Sequence, residues 1–156
     1  MTSTRSGPLY QLRLAPGEDI PTAITGFVAR HRIGSGLVIG LGAAERVVLG
    51  FFDRKRRRYV KRRFPAECEV ASLVGNIAWA GGEPVCHLHA VIATAGFQAR
   101  AGHLFEARVT VTCEVSIVAG RVRLERSPDP DTGLKLLVLG VARRPAGRRK
   151  RARPVR

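Results

Sequence analysis

The chain has 156 residues, of which 45% are hydrophobic and 25% charged, and its formal net charge at pH 7 is +15. This length and composition are typical of a single globular domain. No run of about 18 apolar residues is present, and the opening MTSTRSGPLY has no apolar segment, so the sequence predicts neither a membrane span nor a secretory signal. The scattered cysteines, Cys68, Cys86 and Cys113, favour reduced thiols in a cytoplasmic protein.

The amino-terminal part of the chain predicts one strand followed by one helix. Residues 1–8 are expected to be flexible, whereas LYQLRL at 9–14 alternates between apolar and polar residues, as a strand does. In the segment APGEDIPTAITGFVARHRI, Asp19 is placed to cap a helix whose first turn accommodates Pro21. The apolar residues that follow share one helical face: Ile20, Ile24, Phe27 and Val28.

The remaining apolar segments predict strands, because they are rich in β-branched and aromatic residues and are separated by glycine-containing turns. The glycines of GSGLVIGLGAAE are closely spaced, but the strand-like ERVVLGFF follows them instead of a helix. They therefore predict bends in strands and not a dinucleotide-binding loop. A mostly antiparallel β-sheet packed around one main α-helix is an α+β fold, which we expect for residues 9–141.

Two short blocks carry the basic character of the chain. Residues 54–63, RKRRRYVKRR, and residues 143–156 each contain eight of the 27 lysines and arginines, and the rest of the chain has 11 basic against 12 acidic residues. The first block is predicted to form the loop of a hairpin that begins after Asp53, and residues 142–156 are predicted to be a disordered basic tail. Both blocks indicate contact with a polyanion, nucleic acid first, with a merely solubilising surface as the alternative.

The side chains that we expect to contact nucleic acid belong to these two blocks. RARP at 151–154 is similar to the core of an AT-hook, although Ala152 stands where the hook has glycine. The tail is therefore expected to bind DNA non-specifically, with a preference for A·T as the alternative. The candidate contact residues are Arg54, Lys55, Arg56, Arg57, Arg58, Lys61, Arg62 and Arg63 in the loop, and Arg148, Arg149, Lys150, Arg151 and Arg153 in the tail.

The segment EPVCHLHAVIA places two histidines two positions apart in a predicted strand. Residues two apart in a strand point to the same face, so His87 and His89 can converge on one metal ion. The alternative is that both lie on a solvent-facing or subunit-facing strand, hydrogen-bonded to backbone or to Glu69 or Glu114. No GxSxG elbow and no local Cys–His signature is present, so the sequence assigns no catalytic residue and favours a binding protein over an enzyme.

Six motifs occur in the order found in one known family. RLAPGEDI, GLGAAERVVLGFFD, EVASLVGNIA, HLHAVIA, GHLFEARVTVTCEVSI and DPDTGL resemble the PPC (plants and prokaryotes conserved) domain, from about Tyr10 to about Leu139. The resemblance implies an antiparallel sheet around a helix and assembly as a homotrimer. In plants the domain is joined to AT-hooks in DNA-binding proteins, and stand-alone prokaryotic members are described as candidate DNA-binding proteins with no established reaction.

The resemblance also implies a third histidine, since the family keeps a histidine in GHL, which is His103 here. Together with His87 and His89 it would complete an open site for zinc or another divalent metal. We therefore expect a trimeric, nucleoid-associated DNA-binding protein of the cytoplasm. The alternatives are a metal-dependent small-molecule binder or hydrolase at the three histidines, and an assembly module whose tail recruits an acidic partner.

Overall fold

A computed structural model describes residues 1–139, which form one α-helix and nine β-strands. All strand pairs are antiparallel except for a single parallel bridge between Trp79 and Glu125, so the predicted α+β fold with a mostly antiparallel sheet is confirmed. The elements are β1 (Thr2–Ser6), β2 (Leu9–Leu14), α1 (Ile20–His31), β3 (Gly36–Asp53), β4 (Arg58–Phe64), β5 (Cys68–Ala80), β6 (Glu83–Ala93), β7 (Ala99–Ala119), β8 (Glu125–Pro128) and β9 (Lys135–Val138).

Residues 1–8, which the sequence predicts to be flexible, include a strand. Thr2–Ser6 forms strand β1, which pairs along its whole length with β2 through a turn at Gly7. The amino group of Met1 also lies 2.9 Å from the carboxylate of Glu18. Every side chain of β1 is exposed, so the segment has no apolar alternation, and its order comes from backbone pairing that periodicity does not reveal.

The two longest strands wrap the sheet around the helix. β3 has 18 residues and pairs with β5, β4 and β7, while β7 has 21 residues and pairs with β2, β3 and β6. Because β6 also pairs with β5, the strands β3, β5, β6 and β7 form a closed circuit of hydrogen-bonded neighbours. The helix packs against β6 and β7, and all four residues of its predicted apolar face are buried.

Asp19 fixes the helix to the sheet. One carboxylate oxygen accepts hydrogen bonds from the backbone N–H of Thr22 at 3.1 Å and from its hydroxyl at 2.6 Å, which confirms the predicted cap. The other oxygen accepts a hydrogen bond from the backbone N–H of Ala107, on β7, at 3.0 Å. One side chain therefore both begins α1 and holds it at a defined place on β7.

The outer face of the sheet carries an exposed apolar strip. On β3, the side chains of Leu37, Ile39 and Leu41 are 45%, 50% and 57% exposed. In the β3–β5 pairing Ile39 lies opposite Val74, and in the β5–β6 pairing Val74 lies opposite His89. Since paired residues lie on the same face of a sheet, this apolar strip adjoins the predicted histidine pair.

Cys68, Cys86 and Cys113 are free, as expected. In the part of the chain that the structure describes, no helix is long and apolar enough to cross a membrane.

Candidate metal centre

Strand alternation and one strand pairing bring the three predicted histidines together. On β6, His87 and His89 face outward, while Leu88 between them points into the core and is 1% exposed. On the neighbouring β7, His103 lies directly opposite His89. One ligand atom from each ring lies within 4.8 Å of the other two, so a single chain assembles the cluster without a contribution from another subunit.

Two glycines allow the strands that carry the histidines to lie close to their neighbours. A Cβ atom at Gly75, on β5, would lie about 2.2 Å from the carbonyl oxygen of His87. A Cβ atom at Gly102, the glycine of the GHL motif, would lie about 2.8 Å from the carbonyl oxygen of Gly50. A side chain at either position would displace a strand next to a histidine, so these glycines set the geometry of the cluster.

The spacing of the ring nitrogens matches that of metal ligands. The Nε2 atoms of His87 and His89 are 3.2 Å apart. Two nitrogen ligands of a tetrahedral zinc ion, each about 2.05 Å from the metal, lie about 3.3 Å apart. The whole set spans no more than 4.8 Å, so a contraction on the order of 1 Å would bring all three nitrogens to this spacing.

The lowered pKa values of His87 and His103 also favour metal binding. Burial lowers the pKa of His103 to about 4, and the positive groups around it act in the same direction. Burial is likewise the main cause that lowers the pKa of His87, followed by the charge of Arg126. Both rings are therefore neutral at pH 7, which is the form that ligates metals. The Nδ1 atom of His103 is buried and has no hydrogen-bond partner in residues 1–139, so the ring has an unused ligand atom.

A cavity of about 320 Å³ opens beside His87 and His103. The ring of Tyr59 forms one wall, with its centroid 5.1 Å from that of His103, and the ring of Phe105 supports His103 from another side at 4.7 Å. The rest of the lining comes from Val85 and Cys86 on β6, from Arg126 on β8 and from residues 133–136. The histidine cluster therefore borders a partly apolar cavity that a small molecule can enter.

A positive side chain that the sequence does not predict lies at this cavity. Arg126, on β8, donates a hydrogen bond through Nη2 to Oδ1 of Asn76 at 2.6 Å and one through Nη1 to the carbonyl oxygen of Lys135 at 2.9 Å. Asn76 lies opposite His87 in the β5–β6 pairing, so only knowledge of the strand register could have placed Arg126 here. The alternative partners of the histidines, Glu69 and Glu114, make no hydrogen bond to them within the described residues.

The predicted basic hairpin forms, with residues 54–57 as the turn between β3 and β4. Some of its charges are engaged: Arg56 pairs with Asp53 at 2.7 Å, and Lys61 lies 3.9 Å from the centroid of the Phe105 ring. Arg63 lies 3.8 Å from Glu106. The others are exposed and make no salt bridge among residues 1–139: Arg54, Lys55, Arg57, Arg58 and Arg62.

The tail residues predicted to bind nucleic acid lie outside the described residues: Arg148, Arg149, Lys150, Arg151 and Arg153.

Comparison with known proteins identifies the family. Residues 1–121 match the Plants and Prokaryotes Conserved (PCC) domain. A "putative dna binding protein" from Bacteroides thetaiotaomicron VPI-5482 superposes with a TM-score of 0.85 at 28% identity, covering 88% of this chain and 96% of that chain. A metal-containing protein from Archaeoglobus fulgidus superposes with a TM-score of 0.79 at 32% identity, covering 86% and 96%.

A curated relative is a much longer protein than this chain. The bifunctional protein GlmU of Synechococcus sp. (strain JA-3-3Ab) is 28% identical over 133 residues, which are 83% of this chain and 20% of that protein. The chain thus spans about a fifth of the length of this relative. The match over residues 1–121 confirms the resemblance seen in the six motifs, and the chain belongs to the Plants and Prokaryotes Conserved domain family.

Proposed function

We propose that this protein binds zinc or a similar divalent metal through His87, His89 and His103. The observation that carries the proposal is the 3.2 Å separation of two Nε2 atoms on β6, with the third histidine directly opposite on β7. Imidazole ligands suit zinc, and a site with three protein ligands keeps a fourth position for water or a ligand. The metal-containing relative from Archaeoglobus fulgidus supports this proposal.

The composition of the cluster favours ligand binding over hydrolysis. When bound, the metal would act as a Lewis acid that polarises an oxygen-containing group. Within the described residues the cluster contains histidines alone, with no carboxylate among its members to act as a general base. What the chain itself supplies is a cavity, an aromatic wall at Tyr59 and a fixed positive charge at Arg126.

Metal content tests the proposal. Protein purified without an affinity tag is analysed by plasma mass spectrometry, as wild type and as the variant His87→Ala/His89→Ala. His31→Ala is the matched control, because His31 lies at the end of α1, outside the cluster. We expect about one metal ion per chain in the wild type and the control and a near-complete loss in the double variant. A metal-free wild type that also fails to take up added zinc would overturn the proposal.

We also propose that the chain assembles as a homotrimer through its outer face, as the family resemblance implies. The support is the apolar strip of Leu37, Ile39 and Leu41, whose exposure is unusual for an isolated subunit. Covering the strip with another copy would remove this apolar surface from water and complete a symmetric assembly.

DNA binding is a second candidate function, and it concerns a different surface. The hairpin of β3 and β4 presents five basic side chains that are free of salt bridges among residues 1–139, and the DNA-binding description of the Bacteroides thetaiotaomicron neighbour supports the idea. In a trimer the turn and the basic tail would be repeated around one axis, so that weak phosphate contacts add as avidity. Binding would be non-specific or A·T-preferring, and would place the protein at the nucleoid in the cytoplasm.

A further inference from the structure

We propose that the cavity beside the histidine cluster binds a small carboxylate, which contacts both the metal ion and Arg126. The inference rests on the metal centre proposed above and names the class of ligand that this centre takes. It is carried by the position and bonding of Arg126.

The guanidinium group of Arg126 is held in a fixed position. Its Nη2 atom donates to Oδ1 of Asn76, on β5, and its Nη1 atom donates to the carbonyl oxygen of Lys135, on β9. The first bond, at 2.6 Å, is slightly shorter than a typical N–H···O hydrogen bond, and the second, at 2.9 Å, has the typical length. A side chain anchored at two points loses little further entropy when a ligand arrives, so Arg126 is preorganised for binding.

The same group lacks an anionic partner. Arg126 makes no salt bridge within residues 1–139, and its Nε atom is buried without a hydrogen-bond acceptor. A buried charged donor that stays unpaired is costly, and such groups usually mark a missing water, ion or ligand. Within residues 1–139 the positive charge of Arg126 therefore has no carboxylate partner, and the acceptors of Nη1 and Nη2 are both neutral.

The proposed metal site gives a second reason for an anion beside Arg126. The Nη2 atom of Arg126 is 3.5 Å from Nδ1 of His87. If His87 binds the metal through Nε2, its Nδ1 carries a proton, so the two nitrogens are both donors and cannot bond to each other. A histidine ligand normally donates this proton to an acceptor, and a fixed cation beside a divalent metal is electrostatically unfavourable. An anion that contacts both Arg126 and the metal ion would offset the repulsion between these two positive charges.

The chemistry of the cavity selects a carboxylate. A planar guanidinium matches the two oxygens of a carboxylate, which can accept from it while one oxygen also faces the metal. The cavity, at about 320 Å³, is near the lower end of the range for ligand pockets, and Val85, Leu134 and Leu136 make part of its wall apolar. We therefore expect a short-chain acid with an apolar portion, such as a 2-hydroxy acid that chelates the metal.

The test uses the full chain loaded with zinc or with cobalt(II). Binding of lactate and of 2-hydroxyisovalerate is measured by isothermal titration calorimetry, with inorganic phosphate as the competing anion class. The variants are Arg126→Gln and Arg126→Lys. Arg123→Gln is the matched control, since Arg123 pairs with Glu125 and stacks over Trp79, outside the cavity lining. The visible spectrum of the cobalt form reports whether the acid reaches the open metal position.

We expect the metal-loaded wild type to bind the hydroxy acids and to change its cobalt spectrum when it does. Arg126→Gln should bind them about 10- to 100-fold more weakly at unchanged metal content, as expected for the loss of a charge-assisted hydrogen bond. Arg126→Lys should fall between, and Arg123→Gln should match the wild type.

Three results would overturn the inference while leaving the metal centre intact. They are no binding of either acid to metal-loaded wild type, equal binding by Arg126→Gln, and tighter binding of phosphate than of the acids. Loss of metal from Arg126→Gln would also contradict it, because Arg126 would then act on the metal site itself. A wild type that holds no metal would be detected earlier, by the metal-content measurement. That result would overturn the proposed metal site and not the carboxylate inference alone.

Discussion

Replacing Gly75 with alanine perturbs the metal centre without touching a histidine. The new methyl group would lie about 2.2 Å from the carbonyl oxygen of His87 and about 2.7 Å from the Leu88 side chain, so β5 and β6 would have to separate. Overpacking of this kind typically costs about 1–3 kcal/mol of the free energy of unfolding. Displacing the backbone that carries a metal ligand should weaken metal affinity by about 10- to 100-fold, as removing the groups that support a ligand does.

The assay combines thermal unfolding with zinc affinity measured by competition against a chelating dye. Gly26→Ala is the matched control, because Gly26 lies inside α1 and a Cβ there meets nothing within 4 Å. Alanine in a helix interior is expected to stabilise the fold by about 0.5–1 kcal/mol and to leave zinc affinity unchanged. If Gly75→Ala binds zinc as tightly as the wild type, the strand spacing does not set the ligand geometry and the reasoning fails.

Three further outcomes follow from the structure. The pKa of His103 is about 4 in the folded protein, against an ordinary value of 6.5. Between these two pH values only the unfolded chain binds this proton, which favours unfolding. The melting temperature of the metal-free protein should therefore fall as the pH drops from about 6.5 towards 4. This fall in melting temperature should be smaller in His103→Asn than in the wild type. An equal fall in the two proteins would contradict the lowered pKa of His103. Ile39→Asp should reduce the assembly measured by light scattering from three chains to one, and an unchanged mass would show that the apolar strip lies outside the interface. For DNA, Arg57→Ser/Arg58→Ser should lower the dependence of log K on log salt by about 0.9 for each phosphate that the variant no longer neutralises, and deleting 143–156 should lower it further. Unaltered slopes in fluorescence anisotropy would rule out both basic blocks as the DNA-binding surface.

The local features of the fold could be predicted from the sequence. Asp19 and the helical spacing of Ile24 and Phe27 defined α1, since capping and amphipathic periodicity act within a few residues. The two-residue spacing of His87 and His89 likewise placed both side chains on one face of the strand. Both predictions are confirmed by the structure because each depends only on the geometry of its own element.

The remaining features depend on contacts between segments that are distant in the sequence. Strand β1 carries no apolar pattern and is ordered by its pairing with β2, which no single-segment signal reports. The position of His103 opposite His89 requires the register of β6 and β7, and the family resemblance supplied the residue but not its place. The hydrogen bond between Arg126 and Asn76 joins residues 50 positions apart, so the positive group at the cavity emerged only from the structure.

The proposed metal site requires His103 as its third ligand, and native mass spectrometry of zinc-titrated protein tests this requirement most directly. Wild type and His103→Ala are compared at equal free zinc. We predict one zinc ion per chain in the wild type and an affinity at least about tenfold lower in the variant, because two ligands remain of three. Absence of zinc from the wild type, or equal affinity in the two proteins, would contradict the three-histidine centre.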